Sequence, residues 1–287
     1  MVTRDTPRDR VDERAPADAA GNAGPRPAHR EIPAWVLSGA VIAGCIVAWQ
    51  LLVRALRVPI VLVPAPTDVA HALVTGLVDG SLPTQTWVTL QEILIGFGMA
   101  TLSGLAAALL VTQLRLAEKA LIPLIVATQS VPKVAMAPLL LVWFGTGTTS
   151  KVVTTALIAF FPVLVNSVLG LRAADRDHID MLRSFGATRV QILCRLTLPT
   201  ALPSVFAGLE VAVVLSVTGA IVAEFVGSSA GLGYVMQATN YTLDVATTFA
   251  VLVVLGIVGL ALHGVIAFLS RRFVYWSAHD RGAADLR

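Results

Sequence analysis

Between residues 145 and 151 the chain crowds two glycines, four hydroxyls and a lysine into one short stretch (Gly145, Thr146, Gly147, Thr148, Thr149, Ser150, Lys151). These are the ingredients of a nucleotide-phosphate loop. That loop needs Gly, four residues, then Gly-Lys-Ser/Thr, because backbone N–H groups wrap the phosphate while the lysine and hydroxyl reach its outer oxygens and metal. Counted from Gly145, the chain presents Ser150, Lys151 and Val152 at those last positions, so the second glycine and the final hydroxyl are both missing. A tight turn with Thr148, Thr149 or Ser150 capping a helix accounts for the same residues, and Lys151 is expected to snorkel to a membrane interface.

The other chemistry-bearing residues are isolated ionisable and amide groups inside long apolar runs. Such groups are costly in a bilayer and are functional candidates for that reason. Lys133 follows Val131-Pro132 and precedes Pro138, so its helix is expected to break there, beside protein or water. Gln129, Ser130 and Lys133 would then line a path and offer a positive site to an anion. The other reading is a buried ion pair of Lys133 with Glu224 or Glu92. Asn166 and Ser167, after Pro162, suit either hydrogen bonds between helices or contact with a solute. Glu210 reads as an interfacial group near one end of its run. Five scattered His and two distant Cys offer no metal-ligand cluster and no disulfide framework. Cys45 reads as a buried thiol in a membrane helix.

The elements that carry these residues are membrane helices. Of 287 residues 56% are hydrophobic and 14% charged, and the mean hydropathy is +0.78. A bilayer core of about 30 Å takes roughly 20 apolar residues per helix. Six stretches fit, at about 34–53, 88–111, 120–144, 152–171, 202–226 and 246–269. They are continuously apolar, which excludes the alternating pattern of a membrane barrel. Residues 1–33 are charged and rich in Pro, Ala and Gly, read as a disordered tail. Its six Lys/Arg balance six Asp/Glu, which argues against nucleic acid. Residues 34–276 form the membrane domain and 277–287 a short C-terminal tail. The first span reads as an uncleaved anchor. With the N-terminus inside, 17 of the 21 Lys/Arg fall in cytoplasmic segments, so both termini are placed in the cytoplasm. Thr67 is a candidate cap for a short surface helix over 67–78, and "GSSAGLGY" (227–234) reads as a flexible external turn.

The loop at about 172–200 is the most informative segment. Ile179, Leu182 and Phe185 recur at helical spacing until Gly186 stops them. A second run places Val190, Leu193 and Leu196 on one side, and Leu198-Pro199 marks a bend into the next span. Two short helices hinged at a glycine make a docking knob. A rigid knob between two spans passes a partner's movement to both, because packed elements shift as units. An amphipathic loop binding lipid headgroups through its arginines is the competing reading.

The segment resembles the signature of binding-protein-dependent ABC importer permeases, in which Glu-Ala-Ala is followed after three residues by Gly and nine residues later by Ile-x-Leu-Pro. Asp180, Met181, Leu182, Gly186, Leu196, Leu198 and Pro199 keep every spacing, with Asp for Glu, Met-Leu for Ala-Ala and Leu for Ile. "QSVPKVAMAPLLLVWFGTGTTSKV", "AFFPVLVNSVLGLR" and "AEFVGSSAGLGYVM" are similar to the nitrate, sulfonate and taurine branch, which includes pyrimidine-type precursor permeases. The likeness runs from about residue 60 to 276. It implies an all-α, six-span, type I importer-like permease in a bacterial inner membrane and no enzyme activity. It also implies coupling through those seven residues to separate ATPase subunits that use ATP and Mg, with no cofactor held by this chain. A second permease chain, read as a homodimer partner, and an external binding protein complete the machine. The solute would be a small anion or small organic molecule: sulfonate, taurine, nitrate or a pyrimidine-type precursor. An ion-gradient-driven transporter is the alternative, but it would show two interrupted helices in matching positions, and the sequence shows one.

Overall fold

A computed structural model describes residues 34–113 and 132–276. They form α1 (Ala34–Ala55), α2 (Pro66–Val78), α3 (Ser81–Gln113), α4 (Ala137–Phe144), α5 (Thr148–Arg172), α6 (Arg176–Ser184), α7 (Arg189–Ile192), α8 (Leu198–Gly227), α9 (Leu232–Thr242) and α10 (Val245–Phe273). Five helical runs among the described residues are long and apolar enough to cross a membrane: α1, α3, α5, the run Arg189–Gly227 and α10. Of the stretch expected at 120–144, the first part lies outside the described residues. The rest is a tight 3₁₀ turn, Lys133–Met136, leading into α4 with Pro138 in its first turn. The break expected at Lys133 is there, since Pro138 withholds the N–H that would continue a helix backwards.

The centre of the bundle is α3, α5 and α8. Gly96 of α3 lies so close to α5 that a Cβ there would come within 2.6 Å of Thr155, and one at Gly104 within 2.9 Å of Val163. Contacts therefore advance together along the two helices, which makes α3 and α5 parallel. Gln113 and Thr148 consequently lie at opposite ends of the pair. Helix α8 runs the other way, with Gly208 against Asn166 and Gly219 against Thr155. Small residues at these crossings let backbones approach where lipid gives no hydrophobic drive for helix association. Buried Ala100, Ala159, Val163 and Ala212 fill the middle.

Several local expectations are corrected. Helix α2 starts at Pro66, and Asp68 Oδ2 accepts the Ala65 N–H at 3.1 Å. Thr67 instead joins Gln50 of α1. Helix α5 is preceded by Gly147 with no side-chain cap. Cys45 is exposed on α1. The chain does not bend sharply at Leu198-Pro199. A π turn at Leu193–Thr197 precedes it and the run stays helical from Arg189 to Gly227, because the wider turn absorbs the proline's missing N–H and its clash with the Arg195 carbonyl.

Candidate functional site

Three places hold the chemistry. The first is a cavity of about 490 Å³ lined by Lys133, Phe161, Pro162, Asn166, Val211 and Leu215, among others. Phe161 and Asn166 stand near the middle of α5, and Val211 and Leu215 near the middle of α8, so the cavity lies at mid-height of the bundle and opens to its surface at Val211. Lys133 Nζ sits 4.6 Å over the Phe161 ring, whose negative face attracts the cation. Phe160 meets Phe161 edge to face at 5.2 Å. Asn166 Nδ2 donates to the Pro162 carbonyl at 2.9 Å, which leaves its amide oxygen uncommitted in that bond. Pro162 has no N–H for the Ile158 carbonyl, and both residues line the cavity. Lys133 and Asn166 are thus brought together. Gln129 and Ser130 lie outside the described residues. Ser167 is fully buried and does not line the cavity.

The second place is a buried polar network near the Thr148 end of α5. Lys151 is 5% exposed and its Nζ lies 2.6 Å from Glu92 Oε1, so it does not snorkel. Glu92 pairs with Lys151, and neither it nor Glu224 pairs with Lys133. Lys151 also donates to Ser228 Oγ at 2.8 Å. Glu224 is fully buried. Its Oε1 accepts from Thr89 Oγ1 at 2.7 Å and its Oε2 from the Gly233 N–H at 2.6 Å. Thr89 Oγ1 accepts the Leu232 N–H at 2.8 Å, and Gln85 Oε1 the Gly231 N–H at 2.6 Å. The turn before α9 is therefore no free external loop, because α3, α5 and α8 all hold it. Gly231 has φ +107°, and a Cβ there would overlap the Glu224 carboxylate. Reading single residues missed this network. The available signal was Gln85, Thr89 and Glu92 at helical spacing on one face of α3, with Lys151 and Glu224 as the other buried charges.

The third place is the knob. Asp175 caps α6 by accepting the Asp177 N–H at 3.0 Å, and Gly186 closes it with φ +79° and an N–H to the Arg183 carbonyl at 2.9 Å. Thr188 and Gln191 form a reciprocal capping box on α7. Ile192 is the buried apolar residue of α7, whereas Val190, expected beside Leu193 and Leu196, is 68% exposed. Met181 and Phe185 are exposed as well, and Asp180 is paired with Arg183 at 2.8 Å. Leu182, Leu196, Leu198 and Pro199 are half-buried where the knob meets the bundle. The knob lies at the end of the bundle opposite the Lys151 network.

With this geometry in hand, the relatives are informative. A probable ABC transporter permease of Haemophilus influenzae is 37% identical over 237 residues, 83% of this chain and 96% of the relative. The riboflavin transport system permease RibX of Chloroflexus aurantiacus is 37% identical over 81% of this chain and 87% of its own length. The formylaminopyrimidine transport permease ThiX of Halalkalibacterium halodurans is 34% identical over 80% and 91%. The same group extends to aliphatic sulfonate and taurine permeases of Bacillus subtilis and Escherichia coli. A chain from an inward-facing structure of the MetNI methionine ABC transporter superposes with a TM-score of 0.58 at 22% identity, covering 66% of this chain and 94% of that one, and so shares the fold. All are transport subunits and not enzymes. Residues 99–275, which carry the cavity, most of the network and the knob, match the family of binding-protein-dependent transport system inner membrane components, and the chain belongs to it: it is a membrane-embedded, multi-pass ABC importer permease.

Proposed function

We propose that the Lys133 cavity is part of the solute path and that α6 and α7 couple it to a separate ATPase. The observation that carries this reading is the knob: Met181, Phe185 and Val190 are exposed on short capped helices, and α7 continues through one helical run into α8, which lines the cavity. Movement imposed on α7 reaches Val211 and Leu215 through one helical run, and α6 joins that run across the Gly186 turn. An ion-gradient carrier has no use for such a lever. Seven Lys/Arg among the described residues (Arg172, Arg176, Arg183, Arg189, Arg195, Arg271 and Arg272) lie at or next to the knob end, which supports placing that end in the cytoplasm.

In this reading ATP and Mg belong to the ATPase subunits, and this chain holds no cofactor. A second copy completes the path, and an external binding protein loads it from the Lys151 end. The solute is a small organic molecule or anion that the Lys133 ammonium, the Phe161 ring and the Asn166 amide can meet. Relatives named for riboflavin, formylaminopyrimidine, sulfonates and taurine support that breadth.

The test is co-purification of the tagged chain with the ATPase encoded beside it, comparing wild type with Phe185→Asp. Wild type is expected to retain the ATPase and the variant to lose it while eluting at the same size. Equal retention by both would sink the coupling role of Phe185, and absence of any ATPase with wild type would sink the reading as a whole.

A further inference from the structure

Three carboxylates sit within the long apolar helices among the described residues: Glu92, Glu210 and Glu224. Two are accounted for by the Lys151 network. Glu210 makes no hydrogen bond or ion pair with any described residue. It lies about 18 Å along α8 from Leu198 at 1.5 Å per residue. That is one residue from Val211, which lines the Lys133 cavity.

Its place on α8 narrows what it faces. Ala207, Val211, Val214 and Thr218 form an exposed stripe along the helix. Ala207 and Val214 are three and four residues from Glu210, so Glu210 borders this stripe on the side away from Leu215 and Lys133. The stripe carries Ala207, Val211, Val214 and Thr218 and no leucine, isoleucine or aromatic residue. A half-buried carboxylate in an apolar run is costly unless water or a partner meets it.

We infer that Glu210 lines the same path as Lys133, giving that path a carboxylate on one flank and an ammonium on the other. This rests on the reading of the cavity as part of the path. The class of solute is narrowed accordingly. A cation alone favours any anion, but a cation and a carboxylate flanking one apolar stripe favour a solute that pairs an anionic or acceptor-rich group with an amino or N–H donor group.

The test labels cysteines in the assembled complex of permease and ATPase, in proteoliposomes, after Cys45→Ser and Cys194→Ser. Glu210→Cys, Val211→Cys and, as a control on an exposed apolar face of α10, Leu260→Cys are each treated with trimethylammonioethyl and sulfonatoethyl methanethiosulfonate. Glu210→Cys and Val211→Cys are both expected to react at least about tenfold faster than Leu260→Cys, because these reagents attack thiols in water. Adding Glu210→Gln to Val211→Cys is expected to lower the ratio of cationic to anionic reagent rates about tenfold, the scale of one charge at this distance in partly wet surroundings. If Val211→Cys reacts while Glu210→Cys is as slow as the control, or if Glu210→Gln leaves the ratio unchanged, the inference is overturned and the path reading stands. If Val211→Cys is itself as slow as the control, the path reading falls and takes this inference with it. Should Glu210→Cys fail to assemble, the rate ratio alone decides.

Discussion

The Lys133 cavity and the Lys151 network each place a lysine inside the bundle, yet the two lysines are solvated by opposite means. Lys151 is nearly sealed, with a carboxylate at 2.6 Å and a hydroxyl at 2.8 Å. Lys133 is half-exposed, has the Phe161 face as its partner among the described residues and borders a cavity of about 490 Å³. A buried charge held against an opposite charge is already neutralised and serves to hold helices in register. One without an opposite charge beside open space is where a solute group adds most. The distinction therefore lies in the partners and not in the residue type, and Glu224 and Glu210 divide in the same way.

The largest expected effect comes from breaking the ion-paired side. Lys151→Ala leaves Glu92 as an unpaired buried charge, a loss of about 3–5 kcal/mol. It should appear as poor accumulation and a clear fall in the detergent melting temperature, and Glu92→Gln in the same chain should restore much of it. If Lys151→Ala melts like wild type, the network is not structural and the comparison fails.

Gly231→Ala comes next, because it combines φ +107° with overlap on the Glu224 carboxylate. A loss of about 1–3 kcal/mol is expected, with the same measurement. Wild-type stability there would mean that the turn moves freely.

Lys133→Met gives up a cation–π contact of about 0.5–1 kcal/mol. It should barely move the melting temperature while lowering uptake in proteoliposomes several-fold, a split that sharpens the comparison. A large melting shift with uptake preserved would place Lys133 on the structural side. Phe185→Asp should change stability least, since the side chain is 79% exposed, and its effect should be confined to ATPase retention.

The knob was the most legible part of the candidate site, and the reason is range. The stop at Gly186 and the spacing of Ile179, Leu182 and Phe185 act within a few residues, where sequence distance and spatial distance agree. Even there, which apolar residue of α7 is buried depended on the bundle, so Ile192 took the place expected for Val190. The network was least legible. Its bonds join residues 135 and 143 positions apart, from Thr89 to Glu224 and to Leu232. The 3₁₀ break after Pro132 was foreseeable from the prolines, but what Lys133 faces there was not.

The sequence by itself determined that this is a helical membrane protein, where the apolar runs lie, and that a glycine-hinged double helix interrupts the spans. Each of these follows from local chemistry: the length of a run against the bilayer, backbone donors that proline lacks, and the φ that glycine permits. Which charges neutralise one another was decided only by the tertiary structure. Parallel packing of α3 against α5 brings Lys151 to Glu92, and the return of α8 brings Glu224 under the Gly231–Gly233 turn. In a low-dielectric interior a charge is stabilised by what lies within a few ångströms, and that neighbourhood is set by helix packing and not by order along the chain.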